Sequence, residues 1–208
     1  MLIESTVHLP ISLAMFQDLF HPPDSVALTR IILRWAHFVA GITWIGLLYF
    51  FNLVNVPFQK GLDPDTKKKV NPDLLGRALW FFRWGAVVTV LVGLAYFAMY
   101  ILTPDVNNAN TIGGGHLNVW WILLAWLSYS VVLFIVEFLI IKKVPALIKD
   151  GRVFAIVMFI LVAIVTWGLV KFFNAELTVA GQSFASNKSY SIGIGGAYGI
   201  VMMLNVWG

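Results

Sequence analysis

Five nearly uninterrupted apolar stretches, separated by short segments of proline, glycine and charge, set the frame of this 208-residue chain. They run over 31–56, 79–102, 118–141, 153–173 and 191–207. Each reaches or approaches the about 20 apolar residues that a helix needs to cross a bilayer. The pattern predicts an all-α integral membrane protein, with five transmembrane helices forming a membrane domain over 30–208. Residues 1–29 read differently, because Pro10, Pro22 and Pro23 interrupt them and no lysine or arginine is present. That rules out the positive start of a cleaved signal peptide. Within this segment, 9–20 reads as a short amphipathic helix at the membrane surface, with His8 and His21 facing solvent.

Charge gives the spans a direction. Lys60, Lys67, Lys68, Lys69 and Arg77 cluster between the first and second spans, and Lys142, Lys143, Lys149 and Arg152 between the third and fourth. The segment TPDVNNANTIGGGH after the second span has neither lysine nor arginine. By the positive-inside tendency the basic loops are cytoplasmic, so the amino terminus is expected outside, on the periplasmic face of a bacterial inner membrane. The net charge of +4 is thus topological and does not point to nucleic acid. A composition that is 60% hydrophobic and 12% charged excludes an ordinary soluble domain. Cysteine is absent, which excludes disulfides, thiolate metal sites and covalently attached c-type haem within the chain. The last span reaches Gly208 without a charged anchor, and further helices are expected beyond it.

Candidate chemistry centres on His37, placed about six residues, or roughly 9 Å, into the first span from its outer edge. Polar groups at membrane depth face a bundle interior, a cavity or a cofactor, because lipid offers no hydrogen bond. Arg34, Gly41 and Trp44 share its stripe at helical spacing. The glycine removes a side chain that would block a flat macrocycle, and the arginine is placed to hold a haem propionate. The stripe is equally that of a histidine bonded to a neighbouring helix, with Gly41 serving close packing. His116, after Gly113, Gly114 and Gly115, is expected on the same outer side. Two facing imidazoles can clamp a b-type haem iron, with copper or zinc as a further option. Arg83 and Glu137, at matching inner depths, are expected to form a buried polar pair or network. Gly195 and Gly199 form a small-residue face expected to let two helices approach closely. No phosphate-binding loop, metalloprotease motif or nucleophile elbow is present.

Three stretches, HFVAGITWIGLLYF, WFFRWGAVVTVLVGL and GAYGIVMMLNVW, resemble the membrane domain at the amino terminus of bacterial urate hydroxylases of the PuuD type, the urate oxidase N-terminal domain family. The pattern His37, Gly41, Trp44, Gly46 is also similar to that of membrane protoporphyrinogen oxidases and copper-resistance membrane proteins. The resemblance implies an integral membrane electron-transfer module, followed in family members by further helices and a c-type cytochrome domain. This chain departs from the pattern in having no CxxCH. The leading expectation is a membrane subunit of an electron-transfer complex. It would bind haem b near the outer face, through His37 first and His116 second, and exchange electrons with a periplasmic c-type cytochrome. A cofactor-free subunit of a larger respiratory or photosynthetic complex, and urate oxidation coupled to cytochrome c, stand as alternatives.

Overall fold

A computed structural model describes residues 24–143 and 150–207. The surface helix expected over 9–20, His8, His21 and the centre of the second basic loop lie outside these residues. Five helices are long and apolar enough to cross a membrane: α1 (Ser25–Lys60), α2 (Pro64–Thr111), α3 (Val119–Lys143), α4 (Gly151–Glu176) and α5 (Asn187–Trp207). The chain is therefore a multi-pass helical membrane protein, and many of its large apolar side chains are exposed on the outside of the bundle, as lipid contact requires.

The helices start where a short polar side chain can satisfy the first free backbone N–H groups. Asp24 accepts from the Ala27 amide at 2.6 Å, and Asn118 from that of Trp120 at 2.9 Å. Asp63 accepts from the amides of Asp65 and Thr66, each at 3.0 Å, and from the Thr66 hydroxyl at 2.6 Å. With Pro64 at the first helical position, this cap draws the basic segment after the first span into α2. That segment read as a loop from its proline, glycine and charge. At about 1.5 Å per residue α2 is roughly 70 Å long, more than twice the about 30 Å hydrocarbon core, so it projects from the bilayer.

Two π-helical stretches, Phe50–Asn55 and Ala98–Leu102, each lie just ahead of a proline, Pro57 and Pro104. A proline has no N–H and crowds the preceding turn, and a local widening of the helix accommodates it without ending the span. At each stretch the next amide reaches back five residues, from Val56 to Phe51 and from Thr103 to Ala98. The Thr103 hydroxyl also donates to the Ala98 carbonyl at 2.7 Å. Thr103–Thr111, the start of the segment after the second span that has neither lysine nor arginine, consequently continues as helix.

α1 packs along α2, α2 also meets α5, and α5 packs on α3 and α4. The core lies between α2, α3, α4 and α5, around Phe97, Ile122, Trp126, Leu169 and Phe173. Trp126 donates its indole N–H to the Gly193 carbonyl at 3.0 Å, fixing α5 against α3. Asp105, only 7% exposed, accepts from the Ser186 amide at 2.8 Å and the Ser189 hydroxyl at 2.6 Å. A carboxylate of α2 thus caps α5, favoured by the positive end of that helix. The segment between the fourth and fifth apolar stretches, 174–190, holds regular structure in part. α4 runs to Glu176, and a two-stranded hairpin, β1 (Thr178–Val179) and β2 (Gln182–Ser183), follows. Ala180 and Gly181, at φ 50° and 80°, form its two-residue turn.

Asp105→Ala leaves buried donors unmatched, and we expect it to lower unfolding stability in detergent by about 3 kcal/mol, measured by thermal or denaturant melting. The Thr66 hydroxyl, then the Thr66 amide, holds the Asp63 carboxyl below its usual range. A depressed folded-state pKa gives stability that is present above the unfolded value and lost as pH falls through the folded one. The first turn of α2 should fray on acidification, and Thr66→Val should move the Asp63 titration up, as followed by NMR.

Candidate cofactor cavity

A cavity of about 400 Å³ lies in the membrane between α1 and α5, over the face of α2. α1 contributes His37, Gly41, Trp44 and Ile45. α2 contributes Thr89, Val90, Gly93, Leu94 and Phe97, and α3 Trp126. α5 closes the remaining side with Ile192, Gly195, Gly196, Gly199 and Ile200. The walls are almost wholly apolar, and His37, Gly41 and Ile45 also border a groove along the outward side of α1.

His37 is held by one interaction. Its Nδ1 lies 2.9 Å from the Thr89 carbonyl oxygen of α2. A carbonyl only accepts, so Nδ1 carries the proton and, in the neutral ring, Nε2 keeps its lone pair. No hydrogen bond to Nε2 is made among the described residues. An imidazole oriented through Nδ1–H to a backbone carbonyl, with Nε2 free, is the arrangement that metal-ligating histidines use. Gly93 makes it sterically possible: a Cβ there would stand 3.0 Å from both Nδ1 and Cε1 of the ring. Gly93 and Thr89 were not singled out from sequence, although the TVLVG run sets them four residues apart, on one face.

The glycines divide into two groups. Gly85, Gly193 and Gly196 carry close packing. A Cβ on Gly85 would lie 3.3 Å from the Trp44 amide nitrogen, and one on Gly196 3.1 Å from the Trp126 ring. At Gly193 it would run into the ring of Phe173. Gly195 and Gly199, expected to be the close-packing face, meet nothing within 4 Å and border the cavity instead. Gly41 also borders it, with only Thr89 at 3.8 Å. The open glycines on α1 and α5, with Trp44, Phe97 and Trp126, leave an apolar slot beside His37.

The other expected site residues fall elsewhere. His116 is exposed in the turn before α3 and borders a separate groove with Asn107, Asn110 and Thr111. His37 is level with Thr89 and Gly93 on α2, whereas His116 lies beyond the end of that helix. The separation of the two levels is roughly 25 Å at the helical rise. The two imidazoles therefore do not share one iron, copper or zinc. α1 begins at Ser25, which puts His37 roughly 18 Å along the helix.

Arg34 does not enter the cavity. Its Nε and Nη2 donate to the Tyr96 hydroxyl at 3.0 and 2.7 Å. Arg83 and Glu137 do not form the expected pair. The Arg83 guanidinium lies 5.5 Å from the ring centre of Trp207, and Glu137 accepts from the Asn205 amide group at 3.1 Å. Both instead meet the last turns of α5. Among the described residues no three His, Cys, Asp or Glu side chains converge on a common point. No family model, curated protein or solved structure matches the chain.

Filling the slot and disturbing its histidine should have separable effects. Gly195→Val or Gly199→Leu should fold with stability changed by less than about 1 kcal/mol, since open space receives the added atoms. Gly93→Ala presses on the ring of His37 and should cost about 1–3 kcal/mol. Melting curves of the three variants in one detergent compare them.

Proposed function

We propose that this protein is a membrane-embedded subunit of an electron-transfer complex that binds haem b in the α1–α5 cavity, where His37 Nε2 would hold the iron. The Nδ1 bond of His37 to the Thr89 carbonyl, which leaves Nε2 without a hydrogen bond among the described residues beside an apolar, glycine-lined slot, carries the reading. Haem iron, when bound, supplies one-electron chemistry that no side chain here can perform. The chain's own residues do the rest. The Thr89 carbonyl fixes the tautomer and the ring orientation of His37. Gly41, Gly195 and Gly199 make room, while Trp44, Phe97 and Trp126 provide a dry apolar floor. His116 takes no part as a ligand in this reading, and neither does Arg34, whose fork is held by Tyr96.

The proposal extends to topology and partners. The lysines at the α1–α2 turn and at the end of α3 mark the cytoplasmic side, so the amino terminus is outside a bacterial inner membrane. A periplasmic c-type cytochrome is then the fitting electron partner. Kinship with the membrane domain of PuuD-type urate hydroxylases rests on the three motifs given above, two of which supply His37, Gly41, Trp44, Thr89 and Gly93.

Protein purified from haem-replete cells should show a reducible b-type Soret and α band in a reduced-minus-oxidised spectrum. His37→Ala should remove both bands while the helical circular dichroism is kept, and His116→Ala should leave them. A haem-replete preparation without a b-type spectrum refutes the assignment.

A further inference from the structure

Arg30 and Arg34 lie one turn apart on α1, about 6 Å from one another at their Cβ atoms. Each guanidinium is laid on a tyrosine of α2. Arg30 stands 4.8 Å from the ring centre of Tyr100, and Arg34 5.3 Å from that of Tyr96. The two rings contact each other at 5.3 Å, and the Tyr100 hydroxyl ties this end of α2 to α1 by donating to the Val26 carbonyl at 3.2 Å. The result is a pair of aligned, exposed cations on a stacked aromatic support.

Neither arginine meets a carboxylate among the described residues, where the single ion pair is Lys68–Asp65. Of the acids at this end, Asp24 caps α1 and Asp105 caps α5. The position along the span matters too. Polar Asp24, Ser25 and Thr29 lie outward of Arg30, and inward of it the chain becomes apolar, which is the depth of lipid headgroups. Arg34 also borders a groove whose other walls are the outward-facing rings of Trp35 and Phe38. A doubled positive charge above an apolar groove matches an anionic headgroup joined to an acyl chain.

We propose that Arg30 and Arg34 bind the phosphate of an anionic phospholipid in the leaflet at the amino-terminal end of α1, with an acyl chain along Trp35 and Phe38. The site is independent of any group in the α1–α5 cavity.

Native mass spectrometry of the protein, released from bilayers of equal phosphatidylglycerol and phosphatidylcholine, tests this. The wild type should retain phosphatidylglycerol in excess. One interfacial cation contributes roughly fivefold to such binding, so Arg30→Gln with Arg34→Gln should reduce retention by about twentyfold. Lys68→Gln with Lys69→Gln, of equal charge change, should leave it intact. Should the double arginine variant fail to fold, Arg30→Gln alone suffices, because Arg30 makes no side-chain hydrogen bond among the described residues, and about fivefold is then expected. Equal retention of the two lipids overturns the proposal, as does retention unchanged in the arginine variants. Displacement of the lipid by millimolar inorganic phosphate, marking a site for free anions, overturns it as well.

Discussion

Inside a bilayer a polar side chain must find its partner within the protein, and the hydrogen bond from His37 Nδ1 to the Thr89 carbonyl meets that requirement for the ring at the α1–α2 interface. The bond joins α1 to the rest of the bundle at cavity level, selects the tautomer and leaves the second nitrogen without a hydrogen bond among the described residues. A histidine satisfied through both nitrogens would be a structural crosslink and nothing more. The site's chemistry follows from this asymmetry, and the asymmetry depends on Gly93 allowing the ring close to the backbone of α2.

Glycine serves two opposite ends in this bundle. Where helices must touch, at Gly85, Gly193 and Gly196, the missing side chain lets a backbone or a large ring close in. Where the cavity lies, at Gly195 and Gly199, the missing side chain is the cavity. α5 carries both kinds within seven residues, so its rotation about its own axis determines which glycines face which neighbour. That rotation is set by Trp126 donating to the Gly193 carbonyl and by Asp105 capping the amino-terminal turn. The polar contacts that hold α5 therefore also keep the slot open.

The ends of the bundle differ in how they treat charge. At the amino-terminal end of α1, arginines are laid over tyrosines and the buried carboxylate is used to cap a helix. At the other end, Arg83 rests against Trp207 and Glu137 against Asn205. Direct pairing of Arg83 with Glu137 would require two charges on different helices to be desolvated together. Contact with an aromatic ring and an amide leaves each charge reachable by the headgroup region.

Apolar length alone determined that the described residues hold five helices able to cross a membrane, because a bilayer imposes that length on every span. The same patterning marked His37 as an imidazole at hydrocarbon depth, and Gly41 and Trp44 as its neighbours on one stripe, since helical periodicity is local. Helix ends were less legible. Proline and charge suggested loops at 59–77 and 103–116, where capping by Asp63 and a π-helical widening before Pro104 carry helix through most of each segment. Only the tertiary structure decided which histidine nitrogen is free, that His116 stands far from His37, that Arg83 and Glu137 turn to α5, and which glycines line the slot. Each of these depends on how one helix is rotated and shifted against another, and no single helix's sequence contains that quantity.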